Sequence, residues 1–257
     1  DGRVCSGNPN GVDRNGHGTH VTGSVLGNGS INSTIKGMAP EAMVFFQSFS
    51  NDSSRNLYIP SMITIFNESK NAGANILSNS WGDDPYPWYT SISYDIDRFI
   101  YLNRNITIFF AAGNSGAQGS QTISSLAVSK NAISIGSVGT TRSGGNPSAV
   151  SSFSSRGPAL DGRIKPDLVA PGENILSTRD SVSGASSCVG GYNNSYSFCS
   201  GTSMATPLSA GSAALVLEYL KTSKSISNPS SAAIKAVLVA GADAIPAYGQ
   251  VPNNNVG

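Results

Sequence analysis

The run Ile106-Thr-Ile-Phe-Phe-Ala-Ala-Gly-Asn-Ser-Gly116 decides how this chain folds. It is uncharged, rich in β-branched and aromatic residues up to Ala112, and then breaks into Gly-Asn-Ser-Gly. That pattern reads as a strand buried on both faces that runs into a turn. Strands covered on both faces belong to parallel sheets, whose crossover connections are usually helices.

The neighbouring sequence supplies both. Ala42–Gln47, Asn75–Asn79 and Ala132–Val138 are further short apolar runs ending in polar or small residues. Between them, Leu57–Lys70 places Ile59, Ile63 and Phe66 at helical spacing, and Ile92, Ile96, Phe99 and Ile100 repeat the pattern. Helices are also predicted over Ser203–Lys221 and Ser231–Gly241, with strands and surface loops through the Gly-, Ser- and Pro-rich section Gly139–Ser200. The expectation is a single α/β domain over residues 1–257, a three-layer α/β/α arrangement around a mostly parallel sheet. Ligands in such sheets sit beyond the carboxyl ends of the strands. Ser80-Trp-Gly82 and Gly113-Asn-Ser-Gly116 are therefore where chemistry is sought.

Composition narrows the classes. The 257 residues are 39% hydrophobic and 12% charged, with net charge +1. So much apolar content with so little net charge argues against disorder, and the absence of a basic stripe argues against nucleic acid as a partner. No apolar run is long enough to span a bilayer, and the start does not read as a signal peptide. Three cysteines are too few for a disulfide framework; Cys188 and Cys199 bracket a Gly-, Ser- and Asn-rich stretch and are either bonded or free thiols. Asn-x-Ser/Thr triplets at Asn28, Asn32, Asn51, Asn67, Asn105 and Asn193 matter only on a glycosylating secretory route, and in a chain this rich in Asn and Ser (43 Ser) chance accounts for most of them.

Three segments carry candidate chemistry. Both histidines lie in Asn15-Gly-His-Gly-Thr-His20. They lack a third histidine and have only Asp13 nearby, so zinc is disfavoured; His17, flanked by glycines, reads as an acid–base group and His20 as structural. Ser203, in Ser200-Gly-Thr-Ser-Met-Ala-Thr-Pro207, stands where an apolar helix begins; it is either a cap or a nucleophile that needs a neighbouring base. Asn114 is either a turn residue or an amide donor to an oxyanion. The order of His17 before Ser203, with no later histidine, excludes the α/β-hydrolase sequence Ser…Asp…His. The helical stripes argue against the all-β chymotrypsin barrels. What remains is the order Asp, His, Ser.

At this point the residues amount to a resemblance. Asn15-Gly-His-Gly-Thr-His20, Ser78-Asn-Ser-Trp-Gly82, Ala111-Ala-Gly-Asn-Ser-Gly116, Phe153-Ser-Ser-Arg-Gly-Pro158, Lys165-Pro-Asp-Leu-Val-Ala-Pro-Gly172 and Gly201-Thr-Ser-Met-Ala-Thr-Pro207 resemble, in order, the segments of subtilisin-type serine proteases (subtilases). Gly27-Asn-Gly-Ser30, Lys36-Gly-Met-Ala-Pro40 and Asp161-Gly-Arg-Ile-Lys-Pro166 are similar to alkaline subtilases that carry a C-terminal β-sandwich domain. The resemblance implies a secreted, extracellular, monomeric serine endopeptidase acting on polypeptides through an acyl-enzyme. His17 would be its general base, Ser203 its nucleophile and Asn114 an oxyanion donor. Ser80, Trp81 and Gly82 would pair with the substrate, and Ala111, Ala112 and Gly113 would wall its pocket. No cofactor is required for catalysis, a structural calcium ion is a family possibility, and a propeptide would precede the domain.

The family's triad Asp, in an Asp-Ser/Thr-Gly turn, has no match ahead of His17. Asp1 and Asp13 stand in the wrong contexts. The chain is accordingly expected to be a fragment without that strand or the C-terminal continuation, and to be inactive alone. The rival reading is a protease-like binding or scaffold protein that has lost the Asp. A nucleotide-binding domain is a distant third, since no phosphate-loop motif occurs.

Overall fold

The structure is a computed structural model and describes residues 4–5, 13, 15–49, 59–83, 85–181, 188 and 190–257. Asp1, Asn51 and the start of the predicted helix at Leu57 lie outside the described residues.

The central sheet has four parallel strands in the order β3 (Ile76–Asn79), β4 (Thr107–Ala111), β5 (Ile133–Val138) and β6 (Leu168–Pro171). β1 (Val4–Cys5) and β2 (Phe46–Gln47) form a separate parallel pair, while β7 (Ile175–Thr178), β8 (Gly190–Gly191) and β9 (Tyr196–Cys199) form an antiparallel sheet in the order β7-β9-β8. Helices α1 (His17–Leu26), α2 (Met62–Asn71), α3 (Ser91–Leu102), α4 (Thr202–Thr222) and α5 (Ser231–Ala240) complete the elements that position the site.

Successive side chains of β4 point to opposite faces, and each face has its own core. Ile108 and Phe110 pack with Phe66 of α2 and Ile96 and Phe99 of α3. Phe109 joins Ile133 and Ile135 of β5 with Ala205, Ala210 and Ile234 of α4 and α5. This is the expected three-layer α/β/α arrangement. β4 is buried along its whole length, as its unbroken apolar run requires.

Boundaries moved where local chemistry outweighed hydrophobicity. Of the strand expected over Ala42–Gln47, only Phe46–Gln47 pairs, and Met43 is fully exposed. α2 begins at Met62 because Ser61 caps it, its hydroxyl accepting from Thr64 N–H; Ile59 therefore precedes the helix and is exposed. In α3, Thr90 and Ser93 form a reciprocal capping box, and Ile92 lies off the buried stripe. Cys188 and Cys199 are bonded, with Cα atoms 4.9 Å apart, which ties β9 to the segment before β8.

α1 is pressed onto β7. Ser177 and Thr178 donate their hydroxyls to the carbonyls of His20 and Thr19 at 2.8 Å each. A Cβ on Gly23 would collide with both hydroxyl-bearing side chains. Gly23→Ala is therefore expected to lower unfolding free energy by about 1–3 kcal/mol, as overpacking does; a thermal melt unchanged from wild type would refute this close approach.

β2 and β3 are not paired with each other. β2 hydrogen-bonds to β1 and β3 to β4, and β2 and β3 both border a cavity of about 980 Å³. Val21 and Val25 of α1 and Ala210, Ala214 and Leu217 of α4 line it as well, and His17 stands in its wall. No helix among the described residues is long and apolar enough to cross a membrane.

Candidate active site

Ser203 is the second residue of α4, in the turn whose N–H groups have no intrahelical acceptor. Gly201 makes that position possible. Its φ of 153° and ψ of 160° suit glycine almost alone, and its N–H donates to Gly172 O at 2.8 Å, fastening the turn to the end of β6. Four residues after Ser203 comes Pro207, which has no N–H to close the helical bond onto Ser203 O. Ser80, just beyond β3, fills that role: its hydroxyl donates to Ser203 O at 2.8 Å. Ser203 Oγ in turn donates to Ser80 O at 3.2 Å. Ser80→Ala would leave a helix carbonyl without its partner and is expected to lower stability by about 1–2 kcal/mol; an unchanged urea midpoint would contradict that.

Asn114 follows β4 and is held by a residue that sequence reasoning missed. Thr202 donates to Asn114 Oδ1 from its N–H (2.9 Å) and from its hydroxyl (3.1 Å), while Gly113 N–H donates to Thr202 Oγ1 at 3.2 Å. With Oδ1 so engaged, Nδ2 is the donor end of the side chain. The signal for Thr202 was its place between Gly201 and Ser203, where a hydroxyl can cap either the helix or a neighbouring strand end.

Ser80, Trp81, Gly82, Ala111, Gly113, Asn114 and Ser203 all line one pocket of about 190 Å³. Ala112 does not line it; its side chain is fully buried in the core, and its carbonyl accepts from Ser124 N–H at 3.0 Å. Ser124 lines the pocket too, from the segment Ser124–Val128 where the sequence departs from the family's Pro-Gly turn, and so does Thr202, which sequence reading did not single out. His17 lies on the adjoining 980 Å³ cavity, and Ser80 and Trp81 border both spaces.

His17 opens α1 behind Gly16, whose φ is 86°. Asp13 acts as the helix cap. Its Oδ1 accepts from Asn15 and Gly16 N–H, and its Oδ2 accepts from Thr19 N–H and hydroxyl, at 2.7–3.0 Å. Burial raises the Asp13 pKa, but these bonds outweigh it and hold the carboxyl below its ordinary range. Burial lowers the His17 pKa below 6.5, with the Asp13 charge acting the other way. The imidazole is thus the neutral, proton-accepting form at neutral pH. His20 is wholly buried, with Nε2 3.0 Å from Ile175 O and 3.1 Å from Ser197 O. It joins α1 to the antiparallel sheet.

Among the described residues no three His, Cys, Asp or Glu side chains gather as a metal site.

A hydroxyl at a helix N-terminus and an anchored amide share one pocket beyond the parallel strands, with a neutral imidazole on the adjoining cavity, and a serine hydrolase is built from such groups. Comparison with known proteins narrows the class. The profile of the Subtilase family, peptidase S8, matches residues 5–257, and the chain belongs to that family. It is 37% identical over 220 residues to the serine protease AprX of Bacillus subtilis (strain 168), covering 80% of this chain and 49% of AprX. Pyrolysin of Pyrococcus furiosus is 44% identical over 90 residues, 35% of this chain and 6% of pyrolysin. The chain thus spans about half of AprX and a small part of pyrolysin. Among solved structures, sphericase superposes with a TM-score of 0.67 at 28% identity, covering 90% of this chain and 70% of sphericase.

Proposed function

We propose that this chain is the catalytic part of a secreted serine endopeptidase. The observation that carries this reading is the shared pocket of Ser203, the Thr202-anchored Asn114 and the strand end Ser80–Gly82. An extended substrate pairs with the backbone of Ser80–Gly82, adding a strand, and the side chain before the scissile bond enters between Ser80–Gly82 and Ala111–Gly113. Ser203 Oγ attacks the carbonyl carbon while His17 takes the hydroxyl proton. The oxyanion is met by Asn114 Nδ2 and the backbone N–H of Ser203. The C–N bond breaks as His17 returns the proton to the leaving amine, and water then hydrolyses the acyl-enzyme by the reverse proton path. No cofactor enters these steps. The Cys188–Cys199 bond accords with an oxidising, extracellular setting.

The orienting carboxylate that His17 needs is not Asp13, which is committed to its own turn. It reaches His17 from a strand seated between β2 and β3, in the cavity that His17 borders. Without that strand the chain is close to inactive.

A second reading, a protease-like binding protein, is favoured by one observation: Ser203 donates to Ser80 O. Hydrolysis of a fluorogenic peptide, with an aspartate-bearing strand present, separates the two. Turnover lost in both Ser203→Ala and His17→Ala supports the protease. Turnover that survives Ser203→Ala overturns it, and no turnover in any form leaves the binding protein.

A further inference from the structure

Three Asn-Gly pairs occur in the chain: Asn10-Gly11, which lies outside the described residues, Asn15-Gly16 and Asn28-Gly29. Such a pair is chemically labile, because glycine has no Cβ to keep its nitrogen away from the carboxamide carbon of the preceding asparagine. The two described pairs flank α1, one before its start and one after its end, and each presents an exposed asparagine. The fold treats them differently.

At Asn15 the nitrogen that would attack is restrained. Gly16 is buried, its N–H donates to Asp13 Oδ1 at 2.9 Å, and its carbonyl accepts from His20 N–H at 3.1 Å. Attack requires that nitrogen to lose its hydrogen. A carboxylate accepting from it strengthens the N–H and repels the anion that would be left. At Asn28 the restraint is missing: Gly29 N–H has no acceptor among the described residues. Ser30 N–H donates to Asn28 Oδ1 at 3.0 Å. This turn folds the carboxamide back along the Asn28–Gly29 peptide and draws electron density from its carbon. Gly29 holds the turn at a φ of 73°.

We propose that Asn28 is a site of spontaneous deamidation in the folded protein, and that Asp13 protects Asn15, the corresponding site beside His17. Gly29 N gives its hydrogen to solvent base and bonds to the Asn28 carboxamide carbon. The bond from that carbon to the side-chain nitrogen breaks, and the nitrogen leaves as ammonia with a proton from solvent. Water then opens the resulting succinimide at either carbonyl, leaving an aspartyl or an isoaspartyl residue at position 28. The new carboxylate stands just past the C-terminal end of the helix that carries His17, where aligned peptide dipoles oppose negative charge.

The test needs no turnover. The Ser203→Ala chain, spared self-digestion, is held at mildly alkaline pH, folded or in urea, and tandem mass spectrometry follows the amide-to-acid mass gain at Asn15 and Asn28. A hydrogen bond to a charged acceptor makes the expected difference in the folded chain roughly 10- to 100-fold in favour of Asn28. In urea both asparagines precede an unrestrained glycine, and their rates converge. Asp13→Ala raises the Asn15 rate toward that of Asn28; should this variant not fold, the comparison with urea decides alone. Equal rates at the two sites in the folded chain, or folding that slows Asn28 as much as Asn15, overturn the proposal.

Discussion

Seating an aspartate-bearing strand between β2 and β3 is expected to raise peptide turnover about 10⁴-fold, the size of the orienting Asp's contribution in serine proteases, subtilisin among them. The cavity's shape supports this. β2 and β3 leave their facing edges unpaired among the described residues. The walls from α1 and α4 are mainly small and aliphatic, with Thr22 and His17 of α1 also in the lining. A strand of five residues covers about 17 Å, and the carboxyl end of a strand parallel to β3 lies with the site residues that follow β3 and β4. An aspartate there would accept from the His17 ring and hold it in one tautomer. The rise is read by titrating a peptide of apolar β-branched residues ending in Asp-Thr-Gly against a fluorogenic substrate, with Ser203→Ala abolishing the gain.

A pH profile supplies an independent readout. In the chain alone, burial holds the His17 pKa below 6.5, so a rate that needs the neutral imidazole falls only as pH drops through that lower value. A docked carboxylate favours the imidazolium, and the acid limb moves to higher pH when the strand is present. Turnover and acid limb that both ignore the peptide would show that the cavity does not seat the third member.

The largest effect on stability is expected at Asp167. Asp167 Oδ2 lies 2.8 Å from Lys165 Nζ, and Oδ1 lies 2.7 Å from Lys235 Nζ. Oδ2 also accepts from Ser134 N–H and hydroxyl. Lys165 is 2% exposed, its Nζ donating also to Ser129 O at 2.7 Å. This node joins β5, the entry to β6 and α5. Asp167→Asn keeps the shape but leaves two ammonium groups without a counter-charge, and breaking a buried pair this way costs about 3–5 kcal/mol. Lys165→Met in the Asn background should recover part of the loss by removing the most deeply buried charge. An Asn variant as stable as wild type would show the cluster to be energetically neutral.

The acid dependence has a definite sign. Burial raises the Asp167 pKa, but the two lysine charges outweigh it and hold it at about 2, below its ordinary 3.8. The folded state therefore binds fewer protons than the unfolded chain between those values. The contribution is complete above 3.8 and is lost as pH falls through about 2. Acid titration of unfolding should show this loss in the wild type and not in Asp167→Asn.

Sequence reading succeeded where a segment's pattern and its environment agree. β4 is buried on both faces, so its unbroken run Ile106–Ala112 could be read without knowing its neighbours. α4 was legible within one residue at each end because its small and apolar residues continue past Pro207, whose missing donor is replaced by Ser80. Ile59 and Met43 misled because hydrophobicity alone carries no information about a cap or an unpaired edge. Thr202 was invisible as a pocket residue, since serine and threonine abound here and only approach across the fold distinguishes one.

The linear order of side chains by itself determined the strand–helix alternation and singled out Ser203, His17 and Asn114, rather than Asp13, as the candidates for chemistry. The alternation rests on periodicity, and the candidate residues on local motifs and the family resemblance those motifs carry, all of which a chain keeps when unfolded. Only the tertiary structure decided that Thr202 anchors Asn114, that Ser80 completes the helix Pro207 leaves open, and that β2 and β3 flank an open slot. Each of these depends on hydrogen-bonding groups or strand edges far apart in sequence meeting within a few ångströms, and packing alone sets that distance.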